Sequence, residues 1–168
     1  MNIDIFIERK TEEKIRRAIE ENGMLKKGDR VVLAVSGGAD SMTLLYVLYY
    51  LADEYALDLK VCHVNHGLRG VQADGDEELV RKTCQKLKIP FLVKKADVRE
   101  LCRRMGIGEE ECGRRIRYEF FDECAKGGKI ATAHTLSDKA ETLIFNLTRG
   151  SSIKGLCSIP PVRGNIIR

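Results

Sequence analysis

The feature that most constrains this 168-residue sequence is a short hydrophobic run, RVVLAV at 30–35, that ends abruptly in the polar, glycine-containing segment SGGADS at 36–41. Aliphatic, mostly β-branched residues make up most of the run, which is typical of a buried strand. The apolar residues from Met42 onward fit a helix that packs against a sheet. The pattern therefore predicts a strand, a tight glycine loop and a helix, in that order.

Segments typical of strands and of helices continue to alternate along the chain. The further predicted strands are 59–64, 91–95 and 129–133. The further predicted helices are 11–22, 74–87, 109–124 and 137–147. Alternation at this spacing predicts parallel strands joined by right-handed crossovers. The expected fold class is therefore α/β, a doubly wound parallel sheet of Rossmann-like topology, whose ligands bind beyond the carboxyl ends of the strands.

Three stretches fall outside this alternation. Segments 68–75 and 97–108 are polar or contain glycine, and we expect them to be mobile connections near the ligand-binding edge. Segment 149–168 contains glycines and two prolines, and its last residues predict the start of another strand. We therefore expect 1–168 to be one domain at the N-terminal end of a longer protein.

Composition excludes several classes of protein. The longest apolar stretch, 42–52, falls well short of the roughly 20 residues that a membrane-spanning helix needs. The first ten residues lack the basic start and cleavage site of a secretory signal, so a cytoplasmic location is expected. The six cysteines are widely spaced with no CxxC pair, which favours ordinary thiols over a metal site. A net charge of +4 permits nucleic-acid binding without requiring it.

The segment 36–41 has the chemistry of a phosphate-binding loop. Two successive glycines allow close backbone approach, and the following helix presents the positive end of its dipole to an anion. The hydroxyls of Ser36 and Ser41 can add hydrogen bonds to phosphate oxygens. Asp40 would repel phosphates unless a cation lay between them, so we expect it to bind Mg²⁺ directly or through water.

This loop is neither a Walker A sequence nor GxGxxG, and it resembles the SGGxDS signature of the PP-loop ATP pyrophosphatases. The resemblance implies the adenine nucleotide alpha hydrolase fold and cleavage of ATP between its α- and β-phosphates. It also implies that the loop binds the departing pyrophosphate. The nucleotide-binding residues expected there are Ser36, Gly37, Gly38, Ala39, Asp40 and Ser41.

Three further segments resemble the tRNA(Ile)-lysidine synthetase family within these pyrophosphatases, and the similarity runs from about residue 31 to 161. They are CHVNHGLR at 62–69, GRRIRYEFF at 113–121 and ATAHTLSDKAET at 131–142. The resemblance implies that ATP adenylates the wobble cytidine of tRNA(Ile) with a CAU anticodon. Free lysine would then displace AMP through its ε-amine and give lysidine. It also implies tRNA-binding domains beyond residue 168 and, from a family tendency, a homodimer.

The same resemblance assigns roles to individual residues. His66 and His134 are expected at the nucleotide, and Arg114, which shares a helix face with Arg117, at the α-phosphate or the tRNA backbone. Asp138 and Glu141 are expected to bind lysine or help deprotonate its amine.

Other interpretations of these segments remain open. By residue chemistry alone Asp138 and Glu141 favour helix capping, and only the resemblance favours lysine binding. His63 suits either a structural or a nucleotide-binding role. The sequence also departs from the family pattern near the lysine-binding residues, at Thr135, Ser137 and Lys139.

Three other functions fit parts of the sequence. A PP-loop tRNA-thiolating enzyme would use the same adenylation but usually displays CxxC pairs, which this sequence lacks. A non-catalytic nucleotide-binding module would not require Asp40 beside the phosphates. Amide-forming synthetases with the same loop usually carry a glutamine-hydrolysing domain, which has no counterpart here.

Overall fold

The structure, a computed structural model, describes residues 9–65, 71–96, 98–133 and 160–168. Five helices lie in these ranges: α1 (Arg9–Glu21), α2 (Ala39–Tyr55), α3 (Val71–Leu87), α4 (Val98–Met105) and α5 (Glu109–Ala125). The described strands are β1 (Arg30–Ala34), β2 (Asp58–Asn65), β3 (Phe91–Lys95), β4 (Lys129–Thr132), β5 (Val162–Arg163) and β6 (Ile166–Ile167). None of the helices in these ranges is long and apolar enough to cross a membrane.

The strands form a single sheet with the order β3-β2-β1-β4-β6-β5. β1 lies between β2 and β4 and pairs with both in parallel, so that Leu33 faces Val61 on one side and Ala131 on the other. From β1 the chain adds β2 and β3 on one side, and it then crosses to the other side of β1 to add β4. This arrangement confirms the predicted doubly wound sheet and places its switch point at the carboxyl end of β1.

Alternate side chains of the strands pack against helices on opposite faces. Val31, Leu33 and Val35 face the larger core, which also contains buried residues of α1, α2 and α3. Val32 faces the other way and packs with Phe121 of α5. Because β1 is apolar on both faces, it reads as a continuous hydrophobic run, as expected for a central parallel strand.

The end of the chain adds an edge to the sheet. β6 pairs in parallel with β4, and β5 returns antiparallel to β6 through a turn in which Gly164 has φ +62. The expected terminal strand is confirmed. β5 is the exception to the prediction of an all-parallel sheet.

Two predicted connections contain helix. Residues 98–105 of the expected connection 97–108 form α4, whose Val98 and Cys102 pack against Cys112 and Ile116 of α5. The apolar residues 98, 101, 102 and 105 already had helical spacing, which the four charged residues among them obscured. Residues 71–75 of the expected connection 68–75 belong to α3, which begins at Val71 and includes Gly75, and residues 68–70 lie outside the described residues. The predicted helix 137–147 lies outside the described residues.

Candidate nucleotide-binding site

The glycine loop leaves the sheet at its switch point. The last residue before the loop, Val35, donates its backbone N–H to the carbonyl of Cys62 in β2, at 3.0 Å. Helix α2 then begins at Ala39, with Gly38 as its N-cap. β1, the loop and α2 therefore have the order predicted from the sequence. A crevice at such a switch point is the usual ligand site of an open α/β sheet.

The two serines brace the loop from within. Ser41 donates its hydroxyl to the Gly38 carbonyl at 2.9 Å and accepts the Ser36 backbone N–H at 3.1 Å. Since the one hydroxyl proton of Ser41 is used in this way, the 3.1 Å contact between the two hydroxyls has Ser36 as its donor. Ser41 is buried whereas Ser36 is exposed. Ser36 is therefore the hydroxyl that an incoming phosphate can reach without opening the loop.

The start of α2 can receive an anion. Gly38 has no side chain to cap the helix, and Ala39 and Asp40 are exposed in its first turn. Backbone N–H groups at such a terminus have no partner within the helix, and the helix dipole adds positive potential there. The Gly38 N–H contacts the Ser36 hydroxyl at 3.4 Å, which is long for a hydrogen bond. These donors fit a phosphate group.

Gly37 has no room for a side chain. Its φ is +94, and a Cβ placed on it would lie 2.9 Å from the Cβ of Asp76 and 3.3 Å from its Cα. Asp76 belongs to α3, so this helix forms one wall of the loop. The glycine is therefore required both by the backbone conformation and by the neighbouring helix.

Two buried polar side chains come from the carboxyl end of β2. His63 is 3% exposed and donates its Nδ1–H to the Val35 carbonyl at 2.8 Å. A carbonyl oxygen can only accept a hydrogen bond, so the neutral form of His63 carries its proton on Nδ1. This contact fixes the residue before the loop, which gives His63 a structural role.

Asn65 joins β2 to the start of α3. Its Nδ2 donates to Asp74 Oδ1 and to Glu77 Oε2, both at 3.1 Å. Glu77 is buried and also accepts from Arg81 at 2.6 Å, and Lys95 Nζ lies 3.4 Å from it. Burial raises the pKa of Glu77, but Asn65, Arg81 and Lys95 outweigh that effect and hold it below its ordinary value. Glu77 is therefore an ionised carboxylate at neutral pH.

Asn65, Asp76 and Glu77 were not among the site residues predicted from the sequence. A signal was present for Glu77, because it shares the buried stripe of α3 with Val80 and Cys84 at helical spacing. A charged residue on an apolar stripe usually has buried partners. Nothing in the sequence pointed to the contact of Asp76 with Gly37.

Arg114 lies on the half of α5 that covers the carboxyl ends of β2 and β3. Its neighbours Cys112 and Ile116 pack in a cluster that also includes Val64 and Ala96. Arg114 is exposed, and its guanidinium lies 5.7 Å from the ring centroid of Tyr118. Arg114 therefore lies near the carboxyl edge of the sheet, the edge at which the loop emerges. Its contact with a ligand stays a prediction.

The predicted core positions of α5 are largely confirmed. Phe121 is buried in the cluster behind β1, and Tyr118 is half-buried with its ring edge-on to Phe121 at 6.3 Å. Arg117 is exposed, as expected for a residue on the same helix face as the exposed Arg114. Arg115 forms a surface ion pair with Glu119 at 3.3 Å.

Four predicted site residues lie outside the described residues. They are His66, His134, Asp138 and Glu141. The departures at 135, 137 and 139 lie there too. Ala133, which directly precedes His134, follows β4 at the carboxyl edge.

The described cysteines behave as ordinary thiols. All five are free, and four are buried. Burial raises the pKa of Cys84 to about 11 and also raises that of Cys62, which hydrogen-bonds with Cys124. These two thiols are therefore protonated at neutral pH and are poor nucleophiles.

No three His, Cys, Asp or Glu side chains among the described residues are arranged to hold a metal ion. Asp40 is an exposed carboxylate in the first turn of α2. A Mg²⁺ ion held by one or two carboxylates usually completes its shell with phosphate oxygens and water. The residues present therefore fit a magnesium ion that arrives with a nucleotide.

The chain is similar to known proteins over nearly its whole length. The sequence profile of the PP-loop domain matches residues 7–168. The tRNA(Ile)-lysidine synthase of Caldanaerobacter subterraneus subsp. tengcongensis is 45% identical over 159 residues, which are 93% of this chain and 34% of that protein. The tRNA(Ile)-lysidine synthase of Clostridium acetobutylicum is 47% identical over 148 residues, 86% of this chain and 32% of that protein. The chain spans about a third of the length of these two relatives.

A solved structure has the same fold. It is the U34-tRNA thiolase NcsA from Methanococcus maripaludis with its [4Fe-4S] cluster, and it superposes with a TM-score of 0.67 over 92% of this chain and 56% of its own. The two sequences are 21% identical, so the likeness concerns the fold alone.

Proposed function

Because this chain belongs to the PP-loop domain family, we propose that it is the ATP-binding part of an enzyme that ligates lysine to the wobble cytidine of tRNA(Ile) with a CAU anticodon. Membership of this family implies ATP binding. The observation that carries the choice of substrates is the similarity to tRNA(Ile)-lysidine synthases, which covers 93% and 86% of this chain in the two relatives above. The product would be lysidine.

The proposed reaction has two steps. The carbonyl oxygen of the cytidine ring attacks the α-phosphate of ATP, so that an O–P bond forms and pyrophosphate leaves. The neutral ε-amine of lysine then attacks the activated ring carbon. AMP leaves and carries away the former carbonyl oxygen of the cytidine. The amine must lose one proton before attack and another afterwards, so the second step needs a proton acceptor.

The glycine loop supplies binding for the departing pyrophosphate. The exposed backbone N–H groups at the start of α2 and the exposed hydroxyl of Ser36 are the donors, and they are fixed before the ligand arrives by the contacts of Ser41. Preorganised donors stabilise developing charge without a cost of reorientation during the reaction.

Asp40 would hold a magnesium ion, and the charge of that ion would offset the charge of the phosphates. The ion would neutralise charge on the leaving pyrophosphate. Asp40 itself would keep the cation at the start of α2, where a lone carboxylate would otherwise repel the phosphates.

The remaining proposed roles concern the second substrate and the α-phosphate. Arg114 would offset the α-phosphate charge or contact the tRNA backbone. Asp138 and Glu141 would bind the lysine ammonium groups or accept a proton. His66 and His134 would contact the nucleotide. The homodimer and the cytoplasmic location stay predictions.

The proposed function is tested by transfer of radiolabelled lysine to an unmodified tRNA(Ile) transcript with a CAU anticodon, in the presence of ATP and Mg²⁺. AMP and pyrophosphate are measured in parallel. Because the relatives are two to three times longer, the transcript is supplied at high concentration to offset tRNA contacts that the rest of such a protein could make. A transcript whose wobble base is uridine is the matched control.

The outcomes separate the two steps. ATP-dependent label in the CAU transcript alone is the expected result. Release of AMP and pyrophosphate with tRNA but without label would retain adenylation and reject lysine as the nucleophile. Absence of label and of AMP would contradict the proposal. In an active protein, Glu141→Ala is expected to raise the lysine requirement with little change in ATP affinity, and an unchanged requirement would return Glu141 to helix capping.

A further inference from the structure

The glycine loop is supported by α3 as well as by its own hydrogen bonds. Asp76 lies against Gly37 so closely that a Cβ on the glycine would come within 2.9 Å of the Asp76 Cβ. The start of α3 therefore packs directly against the loop at Gly37. A small outward movement of α3 would leave Gly37 without its neighbour.

The start of α3 needs an anchor. Gly75 lies within its second turn, and a glycine there lowers helix stability by about 1 kcal/mol relative to alanine. Its acidic residues Asp74 and Glu77 flank Asp76, and like charges so close together repel one another.

Asn65 provides the anchor from the sheet. It is 5% exposed at the carboxyl end of β2, and one amide nitrogen donates to both Asp74 and Glu77. Glu77 is 6% exposed, so removal of Asn65, one of its hydrogen-bond donors beside Arg81, leaves a buried carboxylate with fewer partners. The contact therefore couples the end of β2 to the two residues on either side of Asp76.

We propose that Asn65 is a positioning residue for the nucleotide: by holding Asp74 and Glu77 it keeps Asp76 against Gly37 and so fixes the loop in the form that receives the pyrophosphate group. Asn65 acts through α3 and need not touch the nucleotide. The inference rests on the proposed function only in naming ATP as the ligand of the loop.

The test compares Asn65→Ala with Thr83→Ala in the 168-residue chain. Thr83 is buried like Asn65 and belongs to α3, the helix that Asn65 contacts, but its hydroxyl bonds within the helix to Leu79 at 2.9 Å. It therefore controls for a general loss of stability in α3. Each protein is examined by calorimetric titration with Mg²⁺-ATP and by the amide resonances of Gly37 and Gly38 without nucleotide.

The expected result for Asn65→Ala is a dissociation constant for Mg²⁺-ATP raised by about ten-fold or more, the scale of one lost buried hydrogen bond to a charged group. The Gly37 and Gly38 resonances should shift, while Thr83→Ala changes neither measurement. Glu77→Ala removes the same contact from the side of α3, and its effect on affinity should not add to that of Asn65→Ala. If Asn65→Ala does not fold, Glu77→Ala is used in its place to test the proposal.

Two results would overturn the proposal. One is a folded Asn65→Ala protein with the affinity and loop resonances of the parent. The other is a Thr83→Ala protein that changes them as much. If the parent chain does not bind Mg²⁺-ATP, the proposed function fails instead, and the loop resonances still decide whether Asn65 positions Gly37.

Discussion

At the carboxyl edge of the sheet four polar side chains are buried, whereas the ion pair described at the amino edge lies nearer the surface. Ser41, His63, Asn65 and Glu77 are each no more than 6% exposed and lie around the glycine loop. At the opposite edge, the ion pair between Asp29 and Lys129 leaves both side chains 22% exposed, with a separation of 2.8 Å. The amino edge otherwise closes with tight turns.

This difference shows where the fold accepts an energetic cost. Burying a polar group is unfavourable unless its hydrogen bonds to water are replaced by hydrogen bonds within the protein. Once those bonds are made, the buried group holds its neighbours in one geometry. The amino edge only has to reverse the chain direction, and turns with a suitable backbone achieve that. The carboxyl edge has to hold a loop in one form before a ligand binds.

The largest expected effect comes from a matched pair of glycine substitutions, one at each edge. Gly37→Ala should abolish detectable ATP binding, since Gly37 combines φ +94 with the contact to Asp76. Gly128→Ala should lower the unfolding free energy by about 1–3 kcal/mol, because its Cβ would lie 2.6 Å from the Arg30 carbonyl, and leave the affinity of the folded protein unchanged. Titration calorimetry and thermal unfolding separate the two. Loss of ATP affinity in Gly128→Ala would break the distinction between the edges.

Asp40→Ala tests whether the carboxylate serves the ligand or the helix. Asp40 is exposed in the first turn of α2, so the substitution should cost about 0.3–1 kcal/mol of stability through the helix dipole. Mg²⁺-dependent formation of AMP in the active enzyme should nevertheless be lost. Turnover equal to that of the parent would remove Asp40 from the mechanism.

Glu77→Gln tests the buried charge at the carboxyl edge. The pKa of Glu77 lies below its ordinary value in the folded protein, so the ionised form stabilises the fold at neutral pH. That stability is present above the unfolded pKa of about 4.3 and is lost as the pH falls through the lower folded value. The variant should therefore lose about 1–3 kcal/mol at pH 7 and show a weaker dependence of unfolding on acid. An unchanged acid dependence would show that Glu77 is not held ionised by its partners.

Asp29→Asn is the matched and smaller change at the amino edge. Burial raises the pKa of Asp29, but the hydrogen bond from Lys129 and the backbone of Lys26 outweigh it, and the pKa lies below its ordinary value. Stability from this group is also lost in acid, as the pH falls below about 4 through the folded value. The partly exposed pair should contribute about 0–1 kcal/mol. About 0.5 M salt should reduce this contribution, because the Debye length there is shorter than the roughly 10 Å of 0.1 M salt. If the loss of stability in Glu77→Gln depended on salt as strongly as the loss in Asp29→Asn, the difference in burial between the two edges would be contradicted.

Much of the fold could be predicted because strands buried on both faces and helices with one apolar stripe leave clear patterns. β3 was predicted at its observed bounds, and the helix 109–124 ended one residue before Ala125. α4 was missed because arginine and glutamate residues separate its few apolar positions. Its burial depends on Cys112 and Ile116, which come from another helix.

The sequence by itself determined the strand, glycine loop and helix, because a β-branched run, two glycines and a helical stripe are local features. It also predicted that the serines of the loop bind phosphate and that Asp40 binds a magnesium ion. Only the tertiary structure decided that Asp76 lies against Gly37 and that Asn65 holds the start of α3. Those contacts join residues from different elements, and their meeting depends on how the helices pack on the sheet, which no local pattern encodes.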